Sequence, residues 1–190
     1  TLKHQKTYIS NGINADLVIV AAKTGDDDKP HEMTLFLVEK GAQGFERGRN
    51  LKKMGLKGQD TSELFFNDVR VSPSHVLGEP GKGFYCLMEG LAEERLIGAC
   101  QYLSQAQLSF DLTLQFVKER NIFGKKVADF QNTQFKLAEL RTDLDIAQTF
   151  VDQCVAAQNA SLLTPVDAAK AKYHTSELQV RAAALGVQLH

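Results

Sequence analysis

Three glutamates and an arginine stand close together in an apolar stretch that has the pattern of a helix. They are Glu89, Glu93, Glu94 and Arg95. A charged side chain in apolar surroundings is costly unless it is paired or used in chemistry. Desolvation raises the pKa of a carboxyl group toward neutral pH, where the group can act as a general base. Glu93 and Glu94 cannot both face one ligand, because neighbours on a helix point about 100° apart. On pattern alone each glutamate is more often a solvated helix residue, so the choice among them stays open at this point.

A second group of residues with binding chemistry is basic. Five basic residues and no acid stand between positions 47 and 57, which fits either a patch for ligand phosphates or a solvated loop. We favour the loop, because glycines at 48, 55 and 58 indicate turns. No aromatic residue stands among the basic ones, which argues against binding of single-stranded nucleic acid. Further along, Arg120 lies where an arginine usually complements the negative end of a helix.

Composition and charge exclude several classes of protein. The 190 residues are 43% hydrophobic and 24% charged, which is typical of a globular chain with one large or two small domains. A net charge of −1 gives no general case for binding nucleic acid or an anionic membrane. No apolar run approaches the roughly 20 residues of a membrane helix, so we expect no transmembrane segment.

The cysteines and histidines lack metal-ligand spacing, which predicts no metal site. Cys86, Cys100 and Cys154 are expected to be small buried residues of a reducing compartment.

The first 70 residues have the pattern of β-structure. Strands are predicted at 6–10, 17–21, 34–38 and 63–66, where β-branched, aromatic and aliphatic residues cluster. The second run, Leu-Val-Ile-Val-Ala, is continuously apolar, which predicts burial on both faces. Residues 24–30, with three acids in a row, predict an exposed loop. Residues 69–80 contain two prolines and a glycine and predict a linker.

From Phe84 onward the apolar residues recur with a helical period. The first predicted helix ends near Gly124, and Gly90 is expected to weaken or bend it. A second helix is predicted from about 133 to 157. Its expected apolar stripe consists of Phe135, Leu137, Leu140, Leu144, Ala147, Phe150, Val151 and Cys154. A third helix is predicted from 166 to at least 185, with Thr164 as its N-cap and Pro165 at its first position.

These patterns predict an α+β fold with two domains. An antiparallel β-domain covers 1–78 and an antiparallel helical bundle covers 79–190, because long helices with short connections pack as antiparallel neighbours. The chain begins at Thr1 and closes on Val-Gln-Leu-His without a helix stop signal. We take it as an internal piece of a longer polypeptide, so a targeting segment is neither shown nor excluded.

Several motifs along the whole chain resemble the acyl-CoA dehydrogenases. Lys-Thr-Tyr-Ile-Ser-Asn-Gly at 6–12 looks like the flavin-side strand of that family. The segment 54–69, Met-Gly-Leu-Lys-Gly-Gln-Asp-Thr-Ser-Glu-Leu-Phe-Phe-Asn-Asp-Val, looks like the signature late in its β-domain. Arg-Asn-Ile-Phe-Gly at 120–124, followed by Gln131, looks like its flavin-pyrophosphate motif. Lys-Gly-Phe-Tyr at 82–85 with Glu-Arg-Leu at 94–96 is closest to the long-chain type, and the isovaleryl type is second.

The resemblance implies a flavoenzyme of fatty acid β-oxidation. Members have an N-terminal helical domain, a middle β-domain and a C-terminal four-helix bundle, of which this chain would hold most of the β-domain and three bundle helices. FAD would bind between the last two domains and across a dimer contact in a homodimer or homotetramer. The implied reaction converts a long-chain or branched acyl-CoA to the trans-2-enoyl-CoA, with electrons passed to an electron-transfer flavoprotein. The location would be the mitochondrial matrix in a eukaryote or the cytoplasm in a bacterium.

The resemblance also assigns roles to individual residues. Glu94 matches the catalytic base of the long-chain and isovaleryl types, with Glu93 and Glu89 as rivals. The implied substrate contacts are Tyr85, Ala92, Glu93 and Arg95. The implied FAD contacts are Tyr8, Ile9 and Ser10 along the isoalloxazine, and Arg120, Phe123 and Gln131 toward the phosphates and ribitol from a neighbouring subunit.

The chain departs from the family pattern mainly by omission. The N-terminal helical domain, the early β-domain motif and the glycine-rich flavin segment that should follow His190 are absent, so this piece alone is expected to be inactive. Within the shared span, His4 stands where a glycine turn is more usual, and Tyr8 where Trp or Phe is common. Two alternatives therefore stay open. One is a flavin-free fragment or relative serving as an oligomerisation or interaction module, and the other is an acyl-CoA oxidase.

Overall fold

The structure is a computed structural model that describes residues 1–25, 29 and 32–190. Most of the predicted acidic loop at 24–30, including its three aspartates, lies outside the described residues. The chain divides into two compact units, Thr1–Met88 and Glu89–His190. The predicted domain boundary between 78 and 79 stays a prediction.

Two antiparallel sheets form the first unit. Its strands are β1 Leu2–Ser10, β2 Leu17–Lys23, β3 Met33–Glu39, β4 Phe45–Asn50, β5 Thr61–Val69 and the two-residue β6 Val76–Leu77. One sheet has the order β1-β5-β4 and the other the order β2-β3-β6. All four predicted strands are confirmed, and each is longer than its apolar run because ladder hydrogen bonds do not depend on side-chain type.

Strand β4 is the longest element that the sequence pattern missed. The prediction of a solvated loop from 47 onward was wrong for Arg47–Asn50, which belongs to β4 and pairs with β5. Charged residues and Gly48 interrupt any apolar alternation there, so only the partner strand reveals the pairing. The prediction of a two-sided buried β2 was also wrong. Val20 is buried, but Leu17 and Ile19 are exposed, because one face of this antiparallel sheet is uncovered within the described chain.

The core of the first unit centres on Phe66. It contains Leu2, Val20, Val38, Leu64, Phe66 and Val69. The rings of Phe45 and His4 stack on Phe66 with centroids at 5.0 Å and 4.8 Å. Burial, with a smaller contribution from Lys6, lowers the pKa of His4 below its ordinary value. His4 is therefore a neutral packing residue of the sheet near neutral pH.

Three long helices form most of the second unit. They are α1 Gly83–Glu119, whose first turns belong to the first unit, α2 Gln131–Asn159 and α3 Pro165–Leu189. A small hairpin, β7 Asn121–Ile122 and β8 Lys125–Lys126, joins α1 to α2. Contacts between α1 and α3 advance in the same direction along both helices: Gln105 with Gln179, Thr113 with Gly186, and Phe116 with His190. Helix α1 continues through Gly90, so the expected weakening there does not end it.

The second core lies among these helices and includes Leu103, Leu144 and Leu178. Thr164 caps α3 as predicted, because its Oγ1 accepts a hydrogen bond from the Asp167 N–H at 3.1 Å, and Pro165 begins the helix. The predicted stripe of α2 is confirmed except at Phe135, which is exposed. No helix in the described ranges is long and apolar enough to cross a membrane.

Candidate active site

The chain just before the first turn of α1 is held against β3 by contacts of Gly81 and Lys82. The Gly81 N–H donates a hydrogen bond to Thr34 Oγ1 at 2.9 Å, and Met33 and Lys82 form an isolated parallel bridge. Thr34 is itself buried, so its hydroxyl is a rigid acceptor. These contacts determine where the chain turns from the extended segment into the helix.

Tyr85 lies in this first turn with its side chain more than half exposed. The Lys82 Nζ lies 5.5 Å from the centroid of the Tyr85 ring, a cation–π distance. The two residues line a shallow hollow of about 240 Å³ together with Glu32, Pro80 and Gly81. Tyr85 thus presents an aromatic face and a hydroxyl at the surface, as a ligand-contact residue would. The sequence gives no signal for Lys82, because a lone lysine carries no motif.

The glutamates of α1 lie at the surface of the second unit. Glu89, Glu93 and Glu94 are exposed, whereas Ala92 and Arg95 are half-buried. The Glu94 carboxylate makes no hydrogen bond or ion pair with another described residue. The apolar stretch of sequence around Glu94 therefore does not enclose its carboxylate within this chain. The carboxylate is free to accept a proton from a molecule that approaches this face of the helix.

Strand β1 presents Tyr8 in an unusual conformation. Its φ is 59°, and the pairing of β1 with β5 is irregular between Lys6 and Ile9. A left-handed conformation is costly for a bulky residue and is typical of functional positions. The bulge leaves the Tyr8 side chain 76% exposed, while Ile9 packs against the core of the sheet and Ser10 is exposed at the strand end. The flat aromatic surface of Tyr8 is thus directed away from the core.

The other predicted cofactor residues surround the connection from α1 to α2. The Arg120 carbonyl accepts a hydrogen bond from the Val127 N–H at 2.9 Å, which closes the hairpin. Phe123 and Gly124 form its turn with φ values of 50° and 80°, the pattern of a two-residue type I′ turn. Phe123 is almost fully exposed, and the side chains of Arg120 and Gln131 are exposed on either side of the hairpin. The structure therefore brings these three residues to one end of the second unit.

No cluster of three or more His, Cys, Asp or Glu residues suited to a metal occurs in the part of the chain that the structure describes. The three cysteines are free thiols. Cys154 is buried as expected, and desolvation raises the pKa of its thiol. The expectation of burial was wrong for Cys86, which is exposed in the first turns of α1.

Comparison with known proteins identifies the two regions. The family description "Acyl-CoA dehydrogenase, middle domain" matches residues 1–69, and "Acyl-CoA dehydrogenase, C-terminal domain" matches residues 81–190. The chain is 46% identical over 191 aligned positions to the mitochondrial long-chain specific acyl-CoA dehydrogenase of Rattus norvegicus, covering 100% of this chain and 44% of that protein. The chain thus spans about half the length of the curated relatives it matches.

Two solved structures resemble the fold closely. An acyl-CoA dehydrogenase from Geobacillus kaustophilus has a TM-score of 0.96 at 46% identity, covering 99% of this chain and 50% of that one. A chain in the structure of the electron transferring flavoprotein of Acidaminococcus fermentans has a TM-score of 0.91 at 32% identity, covering 98% of this chain and 49% of that one. With its α+β fold and both domain matches, the chain belongs to the acyl-CoA dehydrogenase family.

Proposed function

We propose that the full-length protein containing this chain is an FAD-dependent acyl-CoA dehydrogenase that acts on long-chain or branched acyl thioesters. The observation that carries the proposal is the exposed Glu94 carboxylate, which has no partner among the described residues and stands beside the half-buried Arg95 on α1. A carboxylate that is not engaged by its own chain is available to accept a proton from a bound ligand.

In the proposed reaction Glu94 removes a proton from the acyl Cα. The Cα–H electron pair becomes the new Cα=Cβ bond as a hydride leaves Cβ. FAD, when bound, supplies the acceptor for that hydride. The thioester α-proton is a weak acid, so the base must be held close to it in the bound complex. Glu94 is exposed in this chain, and we infer that the acyl chain and the rest of the full-length protein exclude water from it when the substrate is bound.

The substrate contacts proposed on α1 are Tyr85, Ala92, Glu93 and Arg95. Arg95 suits the CoA moiety, because its guanidinium keeps its charge and offers several hydrogen-bond donors to phosphate. Its half-buried stem leaves it fewer conformations to lose when the ligand binds. Tyr85 would line the acyl-CoA channel with its exposed ring. Ala92 and Glu93 would contact the ligand mainly through their positions beside Glu94.

The residues proposed to hold FAD fit a flat, doubly phosphorylated cofactor. Tyr8 presents an exposed aromatic face from a strained backbone, which suits stacking on a ring system. Ile9 and Ser10 continue the same strand, and the Ser10 hydroxyl is exposed and available to donate a hydrogen bond. Arg120, Phe123 and Gln131 offer a forked cation, an aromatic face and an amide at one end of the second unit. We propose that these three serve the cofactor of a neighbouring subunit in a homodimer or homotetramer.

The electron acceptor and the compartment are part of the same proposal. The acceptor would be an electron-transfer flavoprotein, which fits the similarity to a chain in a solved structure of such a protein. If oxygen reoxidised the reduced enzyme as fast as an electron-transfer flavoprotein does, the protein would be an acyl-CoA oxidase. The compartment would be the mitochondrial matrix in a eukaryote and the cytoplasm in a bacterium.

The test is anaerobic reduction of the full-length protein by a long-chain acyl-CoA, followed as bleaching of the flavin band. Glu94→Gln should bind FAD normally and lower the reduction rate by about three or more orders of magnitude, because the amide cannot accept the proton. Glu177→Gln, the same change at an exposed position of α3, should leave the rate unchanged. Near-normal reduction by Glu94→Gln would place the base elsewhere. A purified protein without flavin absorbance, even after incubation with FAD, would favour the interaction-module alternative.

A further inference from the structure

Gly90 occupies a position in the interior of α1 that close packing does not explain. Glycine is unfavourable inside a helix, so it is usually retained where a neighbour leaves no room for a side chain. That is the case at Gly186, where a Cβ would lie 2.9 Å from Thr113 Oγ1. At Gly90 a Cβ would meet one atom within 4 Å outside the local helix backbone, the Glu94 Oε1 at 3.8 Å. No described residue of another element approaches this Cβ position.

The position of that oxygen follows from helix geometry. Residues four apart lie on the same face, and helical side chains lean toward the N-terminus of the helix. The Glu94 side chain therefore extends back over the turn that contains Gly90. Because Gly90 has no side chain, the carboxylate lies over bare backbone, where it is exposed and has space to change conformation.

Neither the charge nor the packing around Glu94 provides another explanation for this space. The charged groups nearest in sequence are Glu93 and Arg95, which point to other sides of the helix, and Glu89, which is exposed. None of the described residues forms a hydrogen bond or ion pair with the Glu94 carboxylate. The bare surface at Gly90 is thus the feature of this chain that sets where the carboxylate can go.

We propose that Gly90 is a positioning residue for Glu94. The missing side chain lets the carboxylate move between its place over the helix and the acyl Cα that it deprotonates. A long side chain at position 90 would occupy the volume that the carboxylate crosses. This inference rests on the proposed role of Glu94 as the base, and it adds a second residue that acts only through that carboxylate.

Matched substitutions at two glycines of α1 test the proposal in the full-length protein. Gly98 is also inside α1, and a Cβ there would meet Tyr102 Cε2 at 3.7 Å and Lys172 Cγ at 4.0 Å, both ordinary contacts with flexible side chains. Leucine is a good helix former, so Gly90→Leu and Gly98→Leu should both keep the helix. The measurements are FAD content, the dissociation constant of a long-chain acyl-CoA, and the rate constant of flavin reduction.

Gly90→Leu should lower the rate constant of flavin reduction by about tenfold or more, since small misplacements of a catalytic group have effects of up to about 100-fold. The dissociation constant and FAD content should stay unchanged. Gly90→Ala should remain within about threefold of the wild type, because a Cβ at 3.8 Å is an ordinary contact. Gly98→Leu should also remain within about threefold. Where Gly90→Leu loses FAD, Gly90→Met and Gly98→Met replace the pair, because methionine adapts its shape.

A second comparison separates positioning from general damage to the helix. Glu94→Asp shortens the side chain by one methylene, so its carboxylate no longer reaches across Gly90. In that background Gly90→Leu should lower the rate constant of flavin reduction by less than about threefold. A smaller effect than in the wild-type background would show that the two positions are coupled. Equal losses in both backgrounds, or equal losses at positions 90 and 98, would overturn the inference. Normal reduction by Glu94→Gln would instead overturn the proposed function, and a slow Glu94→Gln with a fast Gly90→Leu would overturn this inference alone.

Discussion

Gly186 of α3 lies against Thr113 of α1 so closely that a Cβ on the glycine would be 2.9 Å from the Thr113 Oγ1. Thr113 is buried, and its hydroxyl donates a hydrogen bond to the Ser109 carbonyl at 2.7 Å, so it has little freedom to move away. The contact keeps α3 close to α1 in the second unit, which also contains Ala92–Arg95. The packing of α1 against α3 therefore depends on a residue with no side chain.

Gly186→Ala should destabilise the protein although alanine is the better helix former. Overpacking costs about 1–3 kcal/mol, while the gain in helix propensity is about 1 kcal/mol, so a net loss of about 1 kcal/mol is expected. Urea denaturation followed by circular dichroism measures it. In a Thr113→Ala background the clash is absent, and the same substitution should then stabilise. An identical loss in both backgrounds would contradict this account of the contact.

Asp60 should make the stability of the first unit sensitive to acid. The Ile13 N–H donates to its carboxylate at 2.7 Å and the Asn14 amide at 2.9 Å, and these bonds, the first above all, hold the pKa of Asp60 below its ordinary value. Because the pKa of Asp60 is lower in the folded than in the unfolded protein, the ionised carboxylate stabilises the fold. This stabilisation is complete above the unfolded pKa of 3.8 and is lost as pH falls through the pKa of the folded protein. Asp60→Asn should be less stable at neutral pH and lose less stability from about pH 5 to pH 3 than the wild type does. Parallel acid dependence of the urea midpoints in the two proteins would rule this out.

Thr164 should contribute to the stability of α3 as its N-cap. Its Oγ1 accepts from the Asp167 N–H at 3.1 Å and donates to the Asp167 carboxylate at 2.7 Å, which also lowers the pKa of Asp167. Thr164→Ala should lower the free energy of unfolding by about 1 kcal/mol. Thr164→Ser should keep most of the stabilisation that the cap provides, because serine is also a good N-cap residue. Thr149→Ala, an exposed threonine inside α2, serves as the control and should not destabilise. Equal effects at 149 and 164 would show that the cap contributes nothing particular.

Tyr8 should reverse the usual order of glycine and alanine in a strand. A protein with alanine inside a strand is normally more stable than one with glycine there, by about 0.5–1 kcal/mol. At position 8, however, a φ of 59° strains every residue that has a Cβ. We expect Tyr8→Gly to be more stable than Tyr8→Ala in urea denaturation. In the full-length protein both variants should bind FAD more weakly than the wild type, because both lose the exposed ring. If Tyr8→Ala is the more stable variant, the bulge carries no strain, and if FAD affinity is unchanged, Tyr8 is not a cofactor contact.

Arg120 should contribute to FAD binding through its forked donors. Its side chain is exposed at the end of α1, so Arg120→Ala should leave folding nearly unchanged and weaken FAD binding by about tenfold or more. Arg120→Lys should recover only part of the affinity, because an ammonium group cannot form two parallel hydrogen bonds. Lys118→Ala, in the last turn of α1 two residues before Arg120, is the charge-matched control. Fluorescence titration of the flavin-free full-length protein measures all three, and similar losses at 118 and 120 would indicate a general electrostatic effect.

The fold class, the three long helices and the family could all be predicted from the sequence. Helical period, the Thr164-Pro165 cap and turn signals such as Asn11-Gly12 act over a few residues, so they can be read locally. The family motifs also identified Glu94 as the candidate base, which periodicity alone left among three glutamates. Exposure was harder to read, since Phe135 and Cys86 fit apolar patterns although both are exposed.

Features that arise between distant segments of the chain could not be predicted from local sequence. Strand β4 exists because β5 supplies its hydrogen-bond partners, although its own residues are charged and interrupted by glycine. The strained Tyr8 follows from a bulge opposite β5, and the space over Gly90 follows from where the Glu94 side chain lies. Local preferences follow from the covalent chemistry of neighbouring residues. Register, close approach and free volume depend on which surfaces the whole chain brings together, and so they emerged only in three dimensions.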